Sequence, residues 1–236
     1  LMPYSAPQRW AATSEWTSPM FAPLADSHAL FLFFAYYAAG GTPLVSIADA
    51  QIEPESLTEV LAWLQAMQEG EVLKPRSLQI DSFESSFLAI ESVGDCSITL
   101  YSIASKASDY FIGYLPTPEG AAFSLSTGWS WTVATSDPAR QIIAAELMTW
   151  LSDPVFLSQW SEAQGVMPPA RSALEQWPSG FRRDLVSAIS EKALPFPDDE
   201  ILVFAGPVFS KAARRVLLDG ILPADSAQEA AKAIHP

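Results

Sequence analysis

The segment Ser126-Thr127-Gly128-Trp129-Ser130-Trp131-Thr132 places two of the chain's eight tryptophans beside a glycine and several hydroxyl side chains. An indole offers a flat apolar face, and a glycine at a strand edge lets backbone come close to a bound molecule. Sugars suit such a surface, because their C–H faces pack on rings while their hydroxyls need oriented polar groups. Strand statistics alone allow the opposite reading, in which Trp129 and Trp131 point into a core between sheet and helices. Both readings stand at this point.

Other chemistry is thinly represented. Two histidines far apart, His28 and His235, and the single Cys96 give no ligand cluster for a metal, and no cofactor is expected. A serine nucleophile would need His28 as its base, since His235 is the penultimate residue, and no G-x-S-x-G elbow is present. Neither G-x-G-x-x-G nor a phosphate loop occurs. Carboxylate pairs could support glycoside hydrolysis, but 27 acidic residues produce pairs by chance. The expectation is a protein that is not an enzyme.

Charge and composition narrow the partners. Against those acids stand 13 Lys and Arg, for a formal net charge of −14 over 236 residues. Nucleic-acid phosphates and anionic membrane surfaces both require clustered cations, so no nucleic acid is expected as a partner. With 49% hydrophobic and 17% charged residues, the chain has enough apolar surface to build a large core. One cysteine forbids an internal disulfide. The apolar run Ala29 to Ala39 is shorter than the roughly 20 residues that span a bilayer, and it lacks the flanks of a signal peptide.

The elements that must position these residues follow from local patterning. Residues 1–25, rich in Pro, Ser and Ala, read as an irregular lead-in. Asp26-Ser27 offers an N-cap for a buried helix to Ala39, ended by Gly40-Gly41. Ser56-Leu57-Thr58-Glu59 is a capping box opening a helix with Leu57, Val60, Leu61, Leu64 and Met67 on one stripe and Gly70 as its stop. Short pieces come next: a helix over Phe83 to Phe87, a strand at Leu88 to Ile90, a turn at Gly94-Asp95, and a helical pattern over Ser97 to Ser105. Strands are expected at Tyr110 to Leu115 and at Trp129 to Ala134, the latter with Trp129, Trp131 and Val133 on one face. Asp137-Pro138 and Asp153-Pro154 each start a helix, to about Leu151 and Gln164. Helices over Ser172 to Gln176, Phe181 to Ser190, Pro207 to Leu218 and Ala224 to Ile234 complete the chain, the last with Asp225 and Gln228 as a capping box. Strands scattered among many helices indicate α/β lobes rather than a bundle.

Several of these pieces, in this order, resemble a known family. They are Phe83-x3-Phe87-Leu88-Ala89-Ile90 with Gly94, Phe111-Ile112-Gly113-Tyr114-Leu115-Pro116-Thr117-Pro118, and Gly128-Trp129. The helix pair ending in Gly165-Val166-Met167-Pro168 and the closing helices around Gly220 continue the series. Together, over residues 28 to 236, they resemble the extracellular solute-binding proteins of ABC importers, in the carbohydrate-binding group that includes maltose-binding protein. The resemblance implies an α/β, periplasmic-binding-protein-like (type II) fold, chiefly the C-terminal lobe plus part of the N-terminal lobe. Residues 26–107 and 171–236 would form the C-terminal-lobe parts, and residues 108–170 a segment of N-terminal-lobe type. Most of the N-terminal lobe's sheet would be lacking.

Carried over by position, Gly128 and Trp129 match a Gly-Trp that touches sugar, with Trp131 beside them. Where the family commonly has Gly-Pro-Trp, this chain has Gly94-Asp95-Cys96, so one stacking platform is missing, with the candidate Asp95 next to its place. Asp26 and His28, at the start of the first long helix, could donate or accept hydrogen bonds, and Phe204 and Phe209 lie near a cleft aromatic. Asp26 as a cap and Phe204 and Phe209 as core are the plainer readings of the same residues. The implied role is capture of a small-molecule ligand, a mono- or oligosaccharide, for delivery to the membrane subunits of an ABC permease. It implies an extracytoplasmic location, periplasmic or as a lipoprotein, and self-association if the N-terminal lobe is absent. A truncated relative acting as a sensor or interaction module is the alternative; a glycan-processing enzyme is the third reading.

Overall fold

A computed structural model of the 236-residue chain describes residues 8–13, 20–25, 28–73, 78, 96–97, 114–126, 128, 130–164 and 166–234. Among them are helices α1 (Trp10–Thr13), α2 (Leu30–Ala38), α3 (Pro54–Glu69), α4 (Pro138–Leu151), α5 (Pro154–Gln164), α6 (Arg171–Leu174), α7 (Phe181–Ser190), α8 (Asp199–Asp219) and α9 (Pro223–Ile234). Strand β1 (Met20–Phe21) pairs in parallel with β2 (Cys96–Ser97), and β3 (Leu125–Ser126) pairs in parallel with β4 (Leu194–Pro195). The chain forms two compact units, one built on Ser124–Pro195, the other on Ala6–Leu100, Leu115–Phe123 and Phe196–Pro236. The return to the second unit falls after Pro195. Trp177 donates from Nε1 to the Ser158 carbonyl at 3.3 Å, fastening the chain after α6 onto α5.

The helical unit is organised around α2. Every residue from Phe31 to Tyr37 is buried, so this helix is apolar all round and runs through the core. Leu57, Val60, Leu61, Leu64 and Met67 of α3 turn inward as their spacing predicts. Phe209 of α8 meets the rings of Phe33 at 4.7 Å and Tyr36 at 5.3 Å. Ser226 of α9 donates to the Ala212 carbonyl at 3.0 Å, and Gln68 of α3 to that of Leu217 at 3.1 Å. The 21-residue helix α8 ends at Gly220, whose φ of +67° is the left-handed conformation that glycine adopts at low cost.

The loop between α2 and α3 is fastened by two buried phenols. The Tyr36 hydroxyl accepts from the Glu53 amide at 2.9 Å and the Tyr37 hydroxyl from the Leu44 amide at 3.0 Å. Desolvation pushes the Tyr36 phenol up to about 12, partly opposed by the Glu53 hydrogen bond, and raises that of Tyr37. Gly41 sits directly against this arrangement, and a Cβ there would run into the Tyr36 ring.

Local patterning fails where longer-range contacts or a proline decide. Within the irregular lead-in lie α1 and β1. Trp10 of α1 stacks on Trp63 at 4.5 Å, a contact between residues too far apart in sequence for patterning to reveal. Trp63 donates to Thr13 at 3.0 Å and Trp10 to the Pro116 carbonyl at 3.0 Å. Helix α2 starts at Leu30 with Ala29 at its N-cap, later than the expected Asp26-Ser27 cap. Helix α3 begins at Pro54 with Glu53 as N-cap, so Ser56 is no cap; proline's fixed φ and missing N–H suit the first helical position. Likewise α9 begins at Pro223, ahead of the expected Ala224 start.

Pro207 stands inside α8 rather than at its start. It is exposed, as is Val203 four residues earlier, so the carbonyl that loses its helical partner lies on the solvent side. Ser130 to Ala134 form no strand: β3 stops at Ser126, and no described segment pairs with the alternating residues beyond it. Ser97, expected in a helix, is in β2. Tyr114 and Leu115 carry no strand either, while the rest of that expected strand and the pieces over 83–94 lie outside the described residues.

Candidate functional site

The unit built on Ser124–Pro195 carries the tryptophan segment just past the carboxyl end of β3. In open parallel sheets, ligands bind in the crevice beyond the carboxyl ends of strands, because loops there can present backbone and side chains together. Ser126 donates to the Leu194 carbonyl at 3.4 Å, holding the end of β3 on β4. Beyond it Gly128 and Ser130 to Ala134 are exposed, and the stretch is tied down at Thr135 and Asp137. Thr135 Oγ1 accepts from the Asp137 amide at 3.3 Å, and the Thr135 carbonyl accepts from Gln141 at 2.9 Å. Asp137 also caps α4, accepting from the Ala139 amide at 2.9 Å.

Between these anchors Trp131 stands 62% exposed. An indole at that exposure is available as an apolar platform, which decides against the core reading for this residue. Ser130 and Thr132 flank it, both exposed, and supply hydroxyls. Gly128 is exposed, and a Cβ there would meet nothing within 4 Å, so no neighbour in the chain requires the glycine. Trp129, Asp26 and Asp95 lie outside the described residues.

The other candidates belong to the helical unit. His28 is exposed, in the turn before α2. Beside it Ala29 adopts φ +51°, which costs a non-glycine residue roughly 1–2 kcal/mol. Phe204 is half-buried on α8. Phe209 is wholly enclosed by Phe33, Tyr36 and their neighbours, so it takes the packing alternative and offers no face to a ligand.

A groove of about 560 Å³ lies between α8 and α9, lined by Lys211, Arg214, Arg215 and Glu229 among others. Glu229 pairs with Arg215 and, at 3.6 Å, with Lys211. The hydrogen bond from Arg215 holds its carboxyl below the usual carboxylate range. The run Lys211-x-x-Arg214-Arg215, cations grouped in an acidic chain, is the sequence signal for this groove. Among the described residues no group of three or more His, Cys, Asp or Glu could hold a metal, and no helix is long and apolar enough to cross a membrane.

No protein-family model and no curated protein matches the chain. Solved structures do. A periplasmic-binding protein from Synechococcus sp. MITs9220, provisionally assigned to oligosaccharides, superposes with a TM-score of 0.66 at 14% identity, over 97% of this chain and 65% of that one. Maltose-bound MalE3 of T. maritima gives 0.62 at 16% identity, with 97% and 65% covered. The ABC transporter solute-binding protein of Thermotoga lettingae TMO, bound with α-D-tagatose, gives 0.63 at 17%, with 97% and 64% covered. These neighbours are binding proteins rather than enzymes, and the chain spans less than two thirds of their length. The fold expected from the resemblance is thus observed: the chain has the α/β architecture of the type II periplasmic-binding proteins, over about 65% of their length.

Proposed function

We propose that the chain is a non-catalytic sugar-binding component of an ABC import system, working outside the cytoplasm and delivering its ligand to permease subunits in the membrane. The observation that carries this reading is the exposed Trp131 beyond the carboxyl end of β3, in a fold shared with maltose- and tagatose-bound proteins. Affinity would come from C–H packing on the indole, with hydroxyls satisfied by Ser130, Thr132 and the backbone at Gly128. Trp129, Asp26, Asp95, His28 and Phe204 remain proposed contributors by position. Residues 26–107 and 171–236 as C-terminal-lobe parts, with 108–170 of N-terminal-lobe type, belong to the same reading. A second reading keeps the same fold in a protein that senses a sugar without transporting it.

A thermal-shift panel of mono- and oligosaccharides tests the binding claim. A ligand at about 100 times its Kd stabilises the folded state by about 2.7 kcal/mol, a shift of several degrees. No shift with any sugar would contradict both readings. A shift without stimulation of a reconstituted permease would favour the sensor.

A further inference from the structure

We draw no further inference here: the strongest candidate, the strip of exposed apolar side chains that runs along α4 and on to Phe156 and Trp160 of α5, carries nothing, because nothing in the structure shows what covers it.

Discussion

The two units spend their apolar residues in opposite ways. In the helical unit, α2 is sealed on every side, and its tyrosines spend even their hydroxyls on the loop that follows. In the unit built on Ser124–Pro195, a small cluster joins Leu174, Trp177 and Val186 with Met167, and Leu157 and Leu185 are also buried, while α4 and the rest of α5 leave their large apolar side chains largely exposed. The difference teaches that high hydrophobicity does not by itself mean a closed core. One unit holds itself together; the other presents a surface, first as the Trp131 indole and then as a strip.

That contrast predicts a graded set of responses. Phe209→Ala should be the most damaging, costing about 3–5 kcal/mol, because it empties a site enclosed by Phe33 and Tyr36. Chemical denaturation of that variant reads the loss, and a cost under about 1 kcal/mol would mean the helical unit is loosely packed. Gly41→Ala should cost about 1–3 kcal/mol, since the Tyr36 ring it strikes is fixed by its own hydrogen bond.

Tyr36→Phe should cost about 1 kcal/mol by leaving the Glu53 amide without its acceptor. It should also change the pH response. The folded state holds the phenol protonated up to about 12 against an ordinary value of 10.0, so its contribution is complete below pH 10 and is lost as pH rises through 10 towards 12. Stability measured across that window should fall less steeply in Tyr36→Phe than in the parent; equal slopes would remove the phenol from the account. Smallest of all, Ile143→Gln should change the stability of the dilute chain by less than about 0.5 kcal/mol, as for any surface site. A cost above 2 kcal/mol would show that α4 is buried after all, and the contrast between the units would collapse.

Legibility in the sequence follows the range of the physics. Helices α4 and α5 are readable to the residue because Asp137-Pro138 and Asp153-Pro154 combine a side-chain cap with a proline at the first position, all within one turn. Pro54 and Pro207 mislead in different ways: one starts its helix earlier than the capping box suggests, and the other sits within a helix because both it and Val203 face water. Of the alternating residues expected to form a strand over Trp129 to Ala134, the described ones, Ser130 to Ala134, form none, because alternation cannot supply a pairing partner. For the site, composition singles out the tryptophan segment, but only exposure separates Trp131, open to solvent, from Phe209, sealed in the core. Both are aromatic residues near resemblance-based positions, and nothing local distinguishes a platform from packing.

The most direct test of the central claim is calorimetric titration of the parent chain and of Trp131→Ala with maltose, tagatose and longer glucans. Saturable heat is expected with at least one sugar, weakened by about 1–3 kcal/mol in Trp131→Ala, with the variant's melting temperature unchanged. A folded parent chain that gives no heat with any sugar would contradict the account, and an affinity unaltered in Trp131→Ala would remove the indole from the site.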